Sequence, residues 1–247
     1  MKNIFNFFNS SKDKVMKTKN NTKGWTAKPA TEEKKSSSAA KKIHNLIIVD
    51  ESGSMTSLYG VALEGMNQTL QSIRESAAEC PEQPQEVTLI TFDTEHYKVH
   101  FDSTPADKTK DLGHGDYRPW GGTPLYDAMG KALLALEAKV KENEAVVVTV
   151  ITDGYENASC EFSLADIRAL VDRLDKAGWM FSYIGANQDS AAVGQTMGIS
   201  DTLDFNADEE SMKEMWLKER EARKNFNRCT RMDDFNPMEQ KGKYFGN

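Results

Sequence analysis

The fold is decided by the stretch LIIVDESGS, residues 46–54. Its first four residues are branched and apolar, which is typical of a short strand buried on both faces. An acid and a Ser-Gly-Ser turn follow directly, and Gly53 permits a sharp bend there. The pattern returns in VVVTVITDG, residues 146–154, where a longer apolar run again leads to an acid. Two such strands indicate a parallel sheet whose acids lie at one edge.

Helical patterns separate further strand-like runs along the chain. Apolar residues recur at helical spacing from Leu58 to Ala77, and later segments with the same period begin near residues 125, 163 and 208. The remaining strands are predicted at residues 87–92, 97–101, 179–184 and 202–205. Alternating strands and helices favour an α/β fold. We therefore predict a Rossmann-like, doubly wound, mostly parallel sheet of about six strands, with helices on both faces.

Charge divides the chain into a basic leader and an acidic body. Residues 1–42 hold eleven Lys and three acids, a net charge of +8, whereas the whole chain has a net charge of −7. Residues 43–247 therefore carry −15. The leader is too poor in apolar residues to offset its ordering entropy, so we predict it to be disordered. The acidic body argues against nucleic-acid binding, except weakly through the leader.

The composition also predicts the order of segments and the compartment. The leader, residues 1–42, precedes an α/β domain over residues 43–207, a C-terminal helix over residues 208–230 that packs on or extends the domain, and a tail over residues 231–247. The three Cys are far apart, which suits a reducing compartment. The chain shows neither a run of about 18 apolar residues nor an N-terminal signal-peptide pattern. Together these features predict a cytoplasmic protein without a membrane span.

Polar residues stand where a sheet of this kind binds ligands. In open α/β sheets, ligands bind outside the carboxyl ends of the strands. Asp50 and Asp153 follow two apolar strands there, and Ser52 and Ser54 stand at alternate positions of the turn after Asp50. Carboxylates combined with hydroxyls suit Mg²⁺ better than Ca²⁺. By the same alternation we predict that Glu51 points the opposite way, into solvent.

A purely local interpretation of these residues stays open at this point. Asp and Ser favour turns and helix N-termini, so Asp50 and Ser54 fit those roles. Thr123 precedes Pro124 and fits an N-cap before a proline in the first helical turn. Three independent caps seldom fall on one crevice, which favours a shared binding site.

Three motifs, in this order, resemble the metal-ion-dependent adhesion site of von Willebrand factor A (vWA) domains. They are DESGS at residues 50–54, GGTPL at residues 121–125 and ITDG at residues 151–154. The resemblance spans roughly residues 43–205 and implies a metal held by five side chains, namely Asp50, Ser52, Ser54, Thr123 and Asp153. It implies direct bonds from the two serines, a direct or water-mediated bond from the threonine, and mainly water-mediated roles for the two aspartates. The loop Gly121–Leu125, with the Tyr126-Asp127 that follows it, resembles bacterial or phage-type members more than animal adhesion receptors.

The resemblance also implies a function. With few direct anionic ligands, the metal keeps an open position for an Asp or Glu carboxylate of a partner protein. We therefore predict a metal-dependent protein–protein interaction module in an intracellular multiprotein assembly, with no catalytic activity. Mg²⁺ is the expected cofactor, and Mn²⁺ or Ca²⁺ are the alternatives.

Two other functions remain as alternatives. The first is a Mg²⁺-dependent phosphohydrolase with Asp50 as nucleophile. Such chemistry usually needs a second carboxylate two residues further on as general acid, and Ser52 stands there. The second is a structural protein in which the metal only stabilises the fold.

Overall fold

The structure is a computed structural model that describes residues 42–246. The predicted disordered leader therefore lies, apart from Lys42, outside the described residues. The strands are β1 (Ile43–Asp50), β2 (Gln85–Phe92), β3 (Tyr97–Pro105), β4 (Ala145–Thr152), β5 (Met180–Ala186) and β6 (Asp201–Phe205). The helices are α1 (Tyr59–Glu79), α2 (Leu125–Glu137), α3 (Leu164–Lys176), α4 (Ser190–Met197) and α5 (Glu209–Cys229). Short 3-10 helices cover Gly53–Leu58, Ala106–Lys108 and Pro237–Glu239.

The strands form one sheet in the order β3-β2-β1-β4-β5-β6. Every neighbouring pair is parallel except β2 and β3, which are antiparallel. β1 lies between β2 and β4, with Ile47 opposite Leu89 on one side and Thr149 on the other. The chain winds first to one side of β1 and then to the other, which opens a crevice at the carboxyl ends of β1 and β4. The predicted six-stranded, mostly parallel α/β fold is confirmed.

Two hydrophobic cores cover the two faces of the sheet. Leu46 and Ile48 of β1 pack with residues of α2 and α3. Ile47 and Val49 point to the opposite face and pack with residues of α1 and α5. Because successive side chains of a strand face opposite ways, a strand covered by helices on both faces is apolar throughout. This is why the strand runs in the sequence show no alternation.

The C-terminal helix packs on the α1 face of the sheet. Met212, Met215 and Trp216 of α5 join the core that α1 covers. Gly65 of α1 makes room for this contact, since a Cβ atom there would lie 2.2 Å from the indole Nε1 of Trp216. The helix predicted near residues 208–230 is thus observed as α5, and it covers apolar surface rather than standing free.

Residues 231–246 continue the packed structure beyond α5. Phe235 and Tyr244 join Phe226 in a third core cluster. The backbone N–H of Tyr244 donates to Asp201 Oδ1 at 2.8 Å, which ties the segment to β6. The sequence suggested only a tail here, because two isolated aromatic residues make no periodic pattern. Over residues 42–246, no helix is both long and apolar enough to cross a membrane.

Candidate metal centre

The five predicted site residues lie at the carboxyl edge of the sheet. Asp50 is the last residue of β1, and Asp153 follows β4 directly. These two strands are neighbours, so their carboxyl ends open into the same crevice. Ser52 and Ser54 lie at the start of the 3-10 helix that follows β1, and Thr123 precedes α2 by two residues. Three loops that are distant in sequence therefore meet at one place.

Direct contacts connect the side chains of these loops. The Ser52 and Ser54 hydroxyl oxygens lie 3.0 Å apart, and Ser54 Oγ donates to Asp153 Oδ1 at 2.6 Å. Gly154 brings the third loop close, because a Cβ atom there would lie 3.3 Å from Thr123 Oγ1 and 3.8 Å from Ser54 Oγ. The Ser52, Ser54 and Asp153 side chains thus form a chain of contacts, and the Ser54 and Thr123 hydroxyls both lie close to Gly154.

Asp50 is held in place on both carboxylate oxygens. Its Oδ1 accepts from the backbone N–H of Ser52 at 2.7 Å, and its Oδ2 accepts from Thr152 Oγ1 at 2.6 Å. The first bond is the local turn contact that the sequence left open as an alternative. The second comes from a residue that sequence reasoning missed. The sequence does carry a signal for Thr152, because a polar residue ends a mostly apolar strand there and stands next to Asp153.

The hydroxyls are not used for helix capping. Ser52 stands at the N-cap of its 3-10 helix without a side-chain capping bond. The N-cap of α2 is Pro124, so Thr123 is not the cap that the local interpretation required. Thr123 is instead fixed through its backbone, whose N–H donates to Asn157 Oδ1 at 2.9 Å. Thr123 Oγ1 forms no hydrogen bond with any residue in the described range and is free to bind a ligand.

The carboxylates share this edge without a counter-charge. Burial raises the pKa of Asp50 to about 6, against hydrogen bonds from Thr152 and Ser52 that lower it, and the charge of Asp153 raises it further. Burial also raises the pKa of Asp153. Neither aspartate forms an ion pair with any Lys, Arg or His among residues 42–246. A bound cation would supply the missing positive charge.

The donor set fits a small, hard cation. Within the described part of the chain, no three His, Cys, Asp or Glu side chains come together as a metal site, so hydroxyls have to complete any ligand set here. Octahedral Mg²⁺ has metal–oxygen bonds of about 2.1 Å, which places neighbouring ligand oxygens about 3.0 Å apart. The separation of the Ser52 and Ser54 oxygens is 3.0 Å. The donor chemistry therefore fits Mg²⁺, and the separation of the two serine oxygens agrees with it.

The prediction that Glu51 is solvated is wrong. Its side chain is fully buried and accepts from Thr91 Oγ1 at 2.6 Å and from Lys98 Nζ at 2.5 Å. The backbone N–H of Arg118 also donates to it. Strand alternation does not continue into the turn after β1, and the side chain enters the protein instead. A sequence pattern gives no sign of this, since the neutralising Lys98 comes from β3.

Exposed aromatic residues flank the site. Trp120 is 65% exposed and Tyr155 is 60% exposed, and each stands within three residues of a predicted ligand. An open cavity of about 500 Å³ adjoins Tyr155 at the carboxyl ends of β5 and β6. Ser54 itself is solvent-exposed. The edge is therefore accessible to another molecule.

Comparison with known proteins adds family information. A sequence profile described as "von Willebrand factor type A domain" matches residues 46–156, a range that holds all five predicted site residues. No curated protein matches the chain in sequence.

Solved structures share the fold at low sequence identity. Proximal thread matrix protein 1 from the mussel byssus is 14% identical with a TM-score of 0.51, over 76% of this chain and 47% of that chain. The PilB minor pilin from Streptococcus sanguinis is 13% identical with a TM-score of 0.52, over 75% and 62%. A von Willebrand factor type A protein from Catenulispora acidiphila is 13% identical with a TM-score of 0.50, over 78% and 43%. The chain thus spans less than two thirds of each of these proteins.

Proposed function

We propose that the chain binds a partner protein through a metal ion at the carboxyl edge of its sheet. Residues 46–156 match the von Willebrand factor type A domain, and domains of this family are protein-interaction modules. The partner contributes an Asp or Glu carboxylate. One observation carries this function: Asp50 and Asp153 are brought together at an accessible edge, beside three hydroxyls and without a counter-charge from the described residues. A buried carboxylate without a partner is unfavourable, and a divalent cation removes that penalty.

Each site residue has a role in this function. Ser52, Ser54 and Thr123 would hold the metal through their hydroxyl oxygens. Asp50 and Asp153 would orient the serines and the metal-bound waters, as the existing bonds to the Ser52 backbone and the Ser54 hydroxyl indicate. The metal would supply an electrophilic position for the carboxylate of the partner. Mg²⁺ is the first choice because the ligand set is small and all oxygen, and Mn²⁺ and Ca²⁺ are the alternatives.

The partner surface includes the aromatic residues at the edge. Trp120 and Tyr155 present large exposed side chains on two of the three loops. Aromatic residues next to a central polar contact are frequent anchors of protein interfaces. We propose a bacterial- or phage-type module in a cytoplasmic assembly, a setting in which the free thiols of Cys80, Cys160 and Cys229 stay reduced.

A binding role is favoured over the phosphohydrolase alternative. Both carboxylate oxygens of Asp50 accept hydrogen bonds, and its side chain is fully buried. A nucleophile has to reach the substrate phosphorus, and a carboxylate with no exposed surface is poorly placed for that attack. A phosphatase assay with Mg²⁺ and a generic phosphomonoester is expected to show no turnover. Turnover that Asp50→Asn abolishes would restore the enzymatic alternative.

Direct titration of the folded protein tests the metal. We expect saturable binding of Mn²⁺, followed by electron paramagnetic resonance, with competition by Mg²⁺. Asp50→Ala/Ser52→Ala should abolish it, whereas Ser57→Ala, an exposed hydroxyl in the same 3-10 helix, should leave it unchanged. Equal binding by wild type and the double variant would contradict the site.

Capture from the native host then tests the partner. Proteins that bind the wild-type chain are expected to be lost with EDTA and with Asp50→Ala/Ser52→Ala, and to be retained by Ser57→Ala. Partners that persist through both treatments would contradict metal-dependent recognition. If chelation lowered the melting temperature but left capture intact, the metal would have the structural role alone.

A further inference from the structure

Glu51, which lies between the first two site residues, is fully buried with its carboxylate turned away from solvent. We propose that Glu51 is a positioning residue that fixes the Thr123 loop against the loop after β1, and so sets the distance between the metal ligands of the two loops. This role rests on the proposed function of the site. Glu51 itself does not bind the metal, because its oxygens are already engaged by other groups of the chain.

Three donors from separate parts of the chain meet at the Glu51 carboxylate. Oε2 accepts from Thr91 Oγ1 of β2 at 2.6 Å. Oε1 accepts from Lys98 Nζ of β3 at 2.5 Å and from the backbone N–H of Arg118. Lys98 neutralises the buried charge, and Thr91 is in turn 2.8 Å from His100 Nε2. The carboxylate is therefore held between β2, β3 and the segment of residues 117–121 that leads to Thr123.

Further hydrogen bonds join residues 117–121 to the loop after β1, at residues 50–53. Tyr117 Oη donates to the Asp50 carbonyl at 2.8 Å, and the Trp120 N–H donates to the Glu51 carbonyl at 2.8 Å. The Gly53 N–H donates to the Gly121 carbonyl at 3.0 Å. Residues 117–121 thus run alongside residues 50–53 and are held in register with them.

Glu51 contributes the only side chain of residues 50–54 that bonds to this segment in the described structure. Its bond to the Arg118 N–H adds a side-chain anchor to the backbone bonds of Trp120 and Gly121, and Thr123 follows five residues after Arg118. On the far side of the loop, Asn157 Oδ1 accepts from the Thr123 N–H, and the Gly122 N–H donates to Thr94 Oγ1 at 3.2 Å. Loss of the Glu51 anchor would let the Thr123 hydroxyl move relative to the two serine hydroxyls. Metal binding would then weaken even though every ligand remained present.

Mn²⁺ titration of Glu51→Met, which removes the acceptor of the Arg118 N–H, is the central measurement. We expect the dissociation constant to rise about 10- to 100-fold, the usual effect of removing a group that orients metal ligands. Glu219→Met is the matched control, because Glu219 is also fully buried and paired with a cation, Arg223, but on α5. It should lose stability without losing Mn²⁺ affinity. Wild-type affinity in folded Glu51→Met would overturn the positioning role.

A double variant separates position from charge. Glu51→Met leaves Lys98 unpaired, and its positive charge would itself repel a cation. Glu51→Met/Lys98→Met removes that charge, so a purely electrostatic effect predicts recovered Mn²⁺ affinity, whereas the positioning role predicts that it stays weak. Recovery to the wild-type value would overturn positioning.

Hydrogen exchange gives a readout that needs no metal. The Arg118 amide should lose protection in Glu51→Met, which has no acceptor for it, and keep it in Glu219→Met. If Glu51→Met fails to fold, Thr91→Val removes one of the three donors and should weaken Mn²⁺ binding by a smaller factor; unchanged binding there would contradict the role. Failure of the wild-type chain to bind Mn²⁺ would instead refute the proposed function itself.

Discussion

Buried charge is paired with an opposite charge in one region of the protein and lacks such a partner in another. Beneath α5, the buried Arg223 guanidinium donates to Glu219 at 2.6 Å, to Thr149 at 2.8 Å and to Asn45 at 2.9 Å. At the carboxyl edge, Asp50 and its neighbour Asp153 have hydroxyl and amide donors but no cation within residues 42–246.

The difference separates a structural charge from a binding charge. In the α5 region, the chain supplies both signs, so the pair is complete when folding is complete. Around Asp50 and Asp153, the described residues supply only negative charge, and the fold keeps that arrangement at some cost in stability. If burial of the two aspartates is unfavourable without a cation and favourable with one, partner binding at this site can depend on the metal.

The largest expected effect breaks the complete pair. Arg223→Met leaves Glu219 buried without its cation, and we expect the free energy of unfolding to fall by about 3–5 kcal/mol. Urea denaturation monitored by circular dichroism measures this. Arg228→Met, on the exposed face of the same helix, should change it by less than about 0.5 kcal/mol. A loss in Arg223→Met that Mg²⁺ repaired would contradict the division between the two regions.

The pH dependence of stability reports the unpaired carboxylate. The pKa of Asp50 is raised to about 6 from 3.8, so its protonated form is favoured by folding. Its contribution to stability is present below pH 3.8 and is lost as the pH rises to 6, by up to about 3 kcal/mol in the metal-free protein. Denaturation in EDTA at several pH values should show a shallower fall for Asp50→Asn than for wild type. Parallel curves would contradict an unpaired charge at Asp50.

Metal addition should reverse part of that loss. At a Mg²⁺ concentration ten times the dissociation constant, the free energy of unfolding should increase by about 1.4 kcal/mol at pH 7.5. Asp50→Asn should show no increase, and Ser57→Ala should show the wild-type increase. Thermal denaturation with and without Mg²⁺ measures all three. An equal gain in Asp50→Asn would place the ion elsewhere.

The smallest effect on stability is expected at the exposed aromatics. Trp120→Ala and Tyr155→Ala should each change the free energy of unfolding by less than about 0.5 kcal/mol and leave Mn²⁺ affinity unchanged. Once a partner is in hand, its dissociation constant should rise about tenfold or more, as for anchor residues at other interfaces. If both variants bound the partner as tightly as wild type, the interface would have to lie outside these loops.

The sequence predicted the features that are local in the chain. The apolar strand before Asp50, the one before Asp153 and the glycine-containing turns all show within a few residues, and the structure places them as expected. Glu51 was missed because its burial depends on Lys98, which is 47 positions away. The Arg223–Glu219 pair is local, four positions apart on α5, but its burial depends on packing against distant residues such as Asn45, 178 positions from Arg223. Local sequence patterns predict where the carboxyl edge of the sheet lies, but not which distant side chains stabilise the buried charges of the protein.

Gly154 lets the loop after β4 lie close to the Thr123 hydroxyl. Its hydrogen stands where a methyl group would press on the Thr123 hydroxyl from 3.3 Å away. With the proposed ligand set, Gly154→Ala would push that oxygen outward by a few tenths of an ångström, a change that disfavours a small ion with rigid octahedral demands more than a larger, adaptable one. In the proposed site, a side chain at this position would therefore shift the preference from Mg²⁺ towards Ca²⁺.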